Sequence, residues 1–184
     1  MDARQSSAAK IWRGAAAGAL GGIVASSAMV LFNHLLGATG FGRQDLGDRH
    51  QHRRVDAKPN DTDGTIPDEP ASRKAASLIA ETVTGRPLDE AGKRIGGPLV
   101  HHAFGAFAGA LYGAAAETVP QLAAGGGMPY GAAVWLAGPE TGVPLAGLSR
   151  HPTSYPPARH AASFATHLVF GATLEAVRRV ITRR

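Results

Sequence analysis

The sequence has no cysteine and few aromatic residues, and both shortages narrow the classes of protein to which it can belong. None of its 184 residues is Cys, and 6% are aromatic. A disulfide framework and thiolate chemistry are therefore excluded. The hydrophobic content of 44% is rich in alanine, so a core built from it would contain few large side chains. The net charge of +5 fits either nucleic acid or an anionic membrane surface, and the positions of the charges must decide between them.

Charged residues are also missing from four long stretches of the chain. These stretches lie between Arg13 and Arg43, between Arg94 and Glu117, between Glu117 and Glu140, and between Arg159 and Glu175. A helix needs about 20 mainly apolar residues to cross the hydrocarbon core of a bilayer. The sequence therefore predicts four membrane spans, at about 12–36, 97–119, 127–148 and 159–180. An uncleaved first span is expected rather than a signal peptide, because its apolar run is longer than the usual signal.

Glycines recur at every fourth position in two of these stretches. One series is Gly14, Gly18 and Gly22; the other is Gly105, Gly109 and Gly113, and Gly171 lies in the fourth stretch. An interior glycine destabilises a helix in water by roughly 1 kcal/mol relative to alanine. In a bilayer, small residues at this spacing let helix backbones approach closely. The pattern predicts an all-α, four-helix transmembrane bundle packed through these glycines, as a single domain over residues 1–184.

Residues 40–96 differ from the rest, because they are charged and contain Pro and Gly turn signals. They predict a long polar first loop with one short helix, between Pro70 and Gly85. One face of that helix carries Ala75, Leu78, Ile79 and Val83. Such a face can lie on the bilayer surface or pack on the bundle, and both remain open.

Ionisable residues inside the predicted spans are candidate functional residues, since each costs about 2.5–3.5 kcal/mol to insert. Residues 102–117 align without gaps on 160–175, which predicts that the second and fourth spans run in the same direction. His102 would then approach His160 at one membrane face, and Glu117 would approach Glu175 at the other. The full candidate set is His101, His102, Glu117, Glu140, His160, His167 and Glu175.

Four functional interpretations follow from these residues. The first is a small membrane protein that is not an enzyme, since no nucleophile elbow, phosphate loop or HExxH motif is present. The second is a proton- or ion-conducting channel or transporter in which His167 and Glu140 exchange protons. The third is a soluble helical binding protein. A fourth interpretation is haem ligation by two of His34, His101, His102 and His160. Because the spacing of these histidines is not diagnostic of haem binding, no cofactor and no metal is expected.

The sequence resembles the YagU-like family of uncharacterised bacterial inner-membrane proteins. The resemblance lies in "GAAAGALGGIVASSAMV", "HHAFGAFAGALYGAAAE", "GMPYGAAVWL" and "HLVFGATLEAVRR". It implies a bacterial inner-membrane protein of no established activity and supplies no catalytic residues.

Location and partners follow from the spans and the charges beside them. Lys and Arg near membrane spans favour the cytoplasmic side, and the dense cluster after the fourth span favours cytoplasmic termini. The expected partners are the lipid bilayer and further copies of the chain. Nucleic acid is not expected, because no aromatic platform accompanies the basic residues.

Overall fold

The structure is a computed structural model that describes residues 3–38 and 69–183, with side chains from Ser7 onward in the first range. Every regular element in these two ranges is helical, which confirms the all-α prediction. Of the predicted polar loop, residues 40–68 lie outside the described residues.

Six α-helices make up most of the described chain: α1 (Ala3–Ala38), α2 (Ala71–Thr84), α3 (Glu90–Thr118), α4 (Met128–Ala137), α5 (Val143–Leu145) and α6 (Pro157–Thr182). A 3₁₀ segment, Pro120–Gly127, connects α3 to α4. A π-helical turn, Gly138–Gly142, separates α4 from the single turn α5, and a 3₁₀ turn, Pro152–Ser154, precedes α6.

The short helix in the loop has the predicted ends. Pro70 lies immediately before α2, and Gly85 ends it with a φ of 74°, where its N–H bonds to the carbonyl of Glu81 at 2.8 Å. This left-handed conformation is one that glycine adopts without strain, so the sequence signal and the geometry agree.

The structure shows how α2 packs on the bundle and which of its apolar residues stay exposed. The helix packs on α3 through its small face, where Ala76 lies against Gly96. Its larger apolar residues point away from the bundle, and Leu78, Ile79 and Val83 are 52%, 55% and 78% exposed. The helix therefore packs on the bundle and still presents an apolar surface outward.

The third predicted span, at about 127–148, is interrupted within its length. α4 ends after ten residues, and Gly138 leaves helical geometry with φ −88° and ψ −92°. Pro139 and Pro144 follow closely, and proline lacks the N–H that continues a helical hydrogen-bond ladder. The segment is therefore three short helical pieces ending at Leu145. The other three predicted spans correspond to α1, α3 and α6, although α3 begins earlier, at Glu90, than predicted.

α1 runs antiparallel to both α3 and α6. Gly14 lies opposite Gly113 and Gly22 opposite Gly105, so residue numbers rise along α1 as they fall along α3. Towards the other end of α1, Asn33 is hydrogen-bonded to Thr166 of α6 at 2.8 Å. α3 and α6 are consequently parallel, as the alignment of their sequences predicts.

The two ends of the bundle carry different side chains. We call the end with Glu117 and Glu175 the Glu end, and the end with His102 and His160 the His end. α4 runs from the Glu end, where Gly127 touches Gly171, towards the His end. The described beginning of α1 and the end of α6 both lie at the Glu end.

Small residues fill the contacts of α1, and a small cluster of larger side chains completes the interior. Ala17, Ala25 and Ser26 of α1 are 1%, 0% and 1% exposed, and the buried cluster contains Met29, Tyr112, Phe170 and Leu174. Many other large apolar side chains of the described helices are exposed; examples are Leu20, Leu31 and Leu35 of α1, Ile95, Leu99, Phe104 and Phe107 of α3, Leu136 of α4 and Val180 of α6.

One described helix, over Ser7–Ala38, is long and apolar enough to cross a membrane by itself. Core helices of soluble proteins and signal sequences share that length and composition. The criterion is thus met by one of the four predicted spans.

Candidate functional site

The glycine series of α1 and α3 lie directly against each other. A methyl group at Gly18 would overlap the carbonyl oxygen of Gly109, and a methyl group at Gly109 would overlap that of Gly18. Gly14 meets Gly113 and Gly22 meets Gly105 in the same way. The backbones touch, so no side chain larger than hydrogen fits at these positions.

A second close contact joins α6 to the start of α4. Of the glycines in this contact, Gly171 of α6 was predicted from the sequence and those at the start of α4 were not. Gly171 meets the backbone of Gly127, and Gly131 meets that of His167. Gly127 also has a φ of 82°, which side chains rarely adopt. The four-residue spacing of Gly127 and Gly131 within "GMPYG" is a signal that could have revealed this contact.

A cavity of about 560 Å³ lies between α1, α3, α4 and α6, and α2 covers part of it. Its wall is almost entirely apolar and includes Met29, Phe104, Phe107 and Phe170. No Asp, Glu, Lys or Arg of the described residues lines it. The polar side chains on its wall are Ser26, Ser72, His101, Tyr130 and His167.

The hydrogen bonds of these polar groups determine which donors and acceptors remain available to a ligand in the cavity. The His167 Nδ1 lies 2.7 Å from the carbonyl oxygen of Ser163. Because a carbonyl only accepts, Nδ1 carries the proton, and Nε2 of the neutral ring is an acceptor. The Tyr130 hydroxyl donates to the carbonyl of Ala108 at 2.7 Å. The Ser26 hydroxyl is buried and has no hydrogen-bond partner in the described part of the chain.

A buried ion cluster closes the Glu end of the bundle. The Glu175 carboxylate is 1% exposed and accepts hydrogen bonds from Arg178 Nε at 2.7 Å and from the Tyr112 hydroxyl at 2.9 Å. Arg178 also donates to Glu117 at 3.2 Å, and Arg179 donates to Glu175. Glu117 and Glu175 thus meet at one end, through a shared arginine that the sequence analysis did not single out.

At the His end, the contacts differ from those predicted. Glu140 accepts a hydrogen bond from His160 Nδ1 at 2.8 Å, so its partner is His160 rather than His167. The break at Gly138 explains this, because the π-helical turn carries Glu140 to the level of the first turns of α6.

His102 and His160 share an end of the bundle without meeting. His102 Nδ1 bonds the carbonyl of Pro98 at 2.9 Å, and its Nε2 lies 3.1 Å from the Ser27 hydroxyl. The second ring nitrogen of His160 contacts the Pro152 carbonyl at 3.1 Å. These two rings do not form the facing pair that haem ligation requires, and among the described residues no three His, Asp or Glu side chains cluster as a metal site would.

Comparison with known families finds one match. Residues 87–176 match the profile of a family described as "Protein of unknown function (DUF1440)". The matched region contains α3, α4, α5 and most of α6, just under half of the chain. No curated protein and no solved structure matches the chain.

The match indicates an uncharacterised family, which agrees with that aspect of the resemblance seen in the sequence. No named homologue confirms the YagU-like name itself. Because the match does not include α1 or α2, it covers only the α3 side of the contact between α1 and α3. The cavity and the ion cluster are carried mainly by the matched residues.

Proposed function

We propose that this protein is a small integral membrane protein that is not an enzyme and whose helices enclose a binding cavity. The observation that supports the proposal is the inverted distribution of side-chain sizes. On α1 and α3, alanine, glycine and serine lie in the contacts between helices, while most leucine, isoleucine and phenylalanine side chains are exposed; the buried large side chains are a small cluster around Met29, Tyr112, Phe170 and Leu174.

This distribution is unfavourable in water and favourable in lipid. Burial of apolar surface stabilises a soluble protein by about 25 cal/mol per Å², so a soluble fold places its large apolar side chains inside. In a bilayer, lipid is as apolar as leucine, and close packing of small residues associates the helices instead. A soluble binding protein, the third interpretation of the sequence, would expose an apolar surface on all sides.

In this proposal four segments cross the bilayer, namely α1, α3, the α4–α5 segment and α6. The α4–α5 segment is broken, and a broken segment is tolerated at membrane depth where it lines a protein cavity. Gly138, Pro139 and Gly142 of the break do line the cavity. We assign the protein to the inner membrane of a bacterium, within the YagU-like family, with both termini in the cytoplasm.

We favour binding over ion conduction because of what lies between the two polar ends. The Glu140–His160 pair and the Glu175 cluster are ionic contacts at opposite ends of the bundle. In the part of the chain that the structure describes, the wall of the cavity between them carries no charged side chain. Glu175 is also held by two arginines, so its carboxylate is a poor relay for protons.

An alkaline carbonate wash of membranes from expressing cells tests the proposal. We expect the full chain to remain in the membrane pellet and to enter solution only with detergent. Release into the carbonate supernatant as a monomer would contradict it.

A further inference from the structure

We propose that the cavity binds an uncharged lipophilic molecule that carries a hydroxyl group. This inference rests on the proposed membrane location, since it identifies the ligand class of the same cavity. A volume of about 560 Å³ lies within the range of small-molecule sites, about 300–1,000 Å³.

The position of the cavity's opening, beside exposed lining residues of α3, indicates a ligand that arrives from the bilayer. Phe104, Phe107 and Leu111 line the cavity and are 54%, 61% and 54% exposed. They lie near the middle of α3, between His102 and Glu117. At that level of a membrane-spanning bundle, an opening faces hydrocarbon, so the molecule that enters must dissolve in lipid.

The polar groups inside indicate what the ligand must carry. His167 Nε2 is an acceptor without a hydrogen-bond partner among the described residues, because Nδ1 donates to Ser163. The Ser26 hydroxyl is 1% exposed and also unpartnered. Leaving the buried Ser26 hydroxyl without a partner costs about 1–3 kcal/mol. Both residues line the cavity, and a hydroxyl is the ligand group that can donate to an acceptor such as His167 Nε2 and accept from a donor such as Ser26.

The absence of charge on the wall excludes the commonest membrane amphiphiles from this cavity. A carboxylate or phosphate buried against apolar groups requires a cationic partner, and among residues 3–38 and 69–183 no Lys or Arg lines the cavity. The ligand is therefore neutral, unlike a fatty-acid anion or a phospholipid headgroup.

A matched pair of probes separates hydrogen bonding from simple apolar filling. We would use tritiated 4-nonylphenol with the full chain in phosphatidylcholine nanodiscs, measured by scintillation proximity. Its methyl ether, 4-nonylanisole, has the same apolar body and no hydroxyl donor. We expect saturable binding of the phenol and competition by the ether that is weaker by about threefold to tenfold, the contribution of one net hydrogen bond.

Variants locate the binding at the cavity. His167→Phe should weaken phenol binding by a similar factor and leave the ether unaffected, because the ether has no hydroxyl to donate. Ser26→Ala should weaken both probes, because the ether oxygen can still accept from Ser26. Ser26→Ala removes a hydroxyl that makes no hydrogen bond in the described structure, so it should fold normally. His102→Phe is the matched control, since His102 does not line this cavity; thermal unfolding verifies that each variant is folded.

Equal affinity for the two probes, no saturable binding, or equal effects of His167→Phe and His102→Phe would overturn the inference. Equal affinity would mean that the hydroxyl donor contributes nothing to binding. Release of the chain by the carbonate wash would reject the membrane location. A chain that stays in the pellet but binds the two probes equally would reject only the ligand class.

Discussion

Glu175 shows how a single buried charge connects separate parts of the bundle. Its carboxylate accepts from Tyr112 of α3 and from two arginines of its own helix. Arg179 in turn donates to the carbonyl of Ala123 in the 3₁₀ segment at 3.0 Å. Loss of one partner from a buried ion pair is strongly destabilising, because it leaves the other charge uncompensated.

We predict that Glu175→Gln destabilises the protein by about 3 kcal/mol, near the lower limit for a broken buried pair. Arg178, which is 9% exposed, would keep only Glu117 as an ionic partner. Glu117→Gln is the matched control; it removes one hydrogen bond at 3.2 Å and should cost about 1 kcal/mol. Thermal unfolding in detergent measures both, and equal losses would show that Glu175 does not organise the cluster.

At the scale of elements, the contact between α1 and α3 sets the distance between their axes. Three glycine pairs place backbone against backbone, and α6 packs on the other side of α1 at Gly21, which faces the backbone of Leu174. α1 is consequently the central helix of the described bundle, in contact with both α3 and α6.

The substitution Gly18→Ala should destabilise the bundle by about 1–3 kcal/mol, the usual effect of overpacking. The added methyl group overlaps the Gly109 carbonyl, and backbone cannot rotate away as a side chain can. Gly37→Ala, in the same helix but with nothing within 4 Å, is the control. It should be neutral or stabilising by up to about 1 kcal/mol, because alanine favours helix more than glycine does.

Thermal unfolding in the same detergent gives the comparison between these two variants. A Gly18→Ala protein as stable as Gly37→Ala would contradict the close approach of α1 and α3. A protein stabilised by both substitutions would indicate that the helices are separate.

For the whole molecule, the four segments alternate in direction between the Glu end and the His end. The connection between α5 and α6 lies at the His end, beside the Glu140–His160 pair and the Pro152 carbonyl. The described ends of the chain lie at the Glu end. In a membrane, these two groups of residues would face opposite compartments.

The absence of cysteine makes this arrangement directly testable, since an introduced cysteine is the only thiol in the chain. Ser154→Cys, in the exposed connection before α6, should react with a membrane-impermeant maleimide in intact spheroplasts. Ser7→Cys, exposed near the start of α1, should react only after the membrane is opened. The reverse pattern would invert our orientation, and labelling of both in intact spheroplasts would reject the four-segment crossing.

Several residues of the candidate site could be predicted from the sequence because their signal is local. The four-residue glycine spacing marks positions on one helix face, and those faces are the contacts of α1, α3 and α6. The alignment of 102–117 with 160–175 predicted that Glu117 and Glu175 share an end. Other pairings depend on where a helix is interrupted and how it is rotated about its axis. Glu140 is an example, because the turn at Gly138 places its side chain against His160.

By itself, the sequence determined the helical class, the ends of α2 and the glycine faces, because spacing, capping and charge act over a few residues. Only the tertiary structure decided which faces meet, that Arg178 joins two glutamates, and that His167 and Ser26 line one cavity. These facts depend on the relative rotation and depth of whole helices. Local spacing leaves both undetermined, since many pairings of small faces are sterically equivalent until all helices pack together.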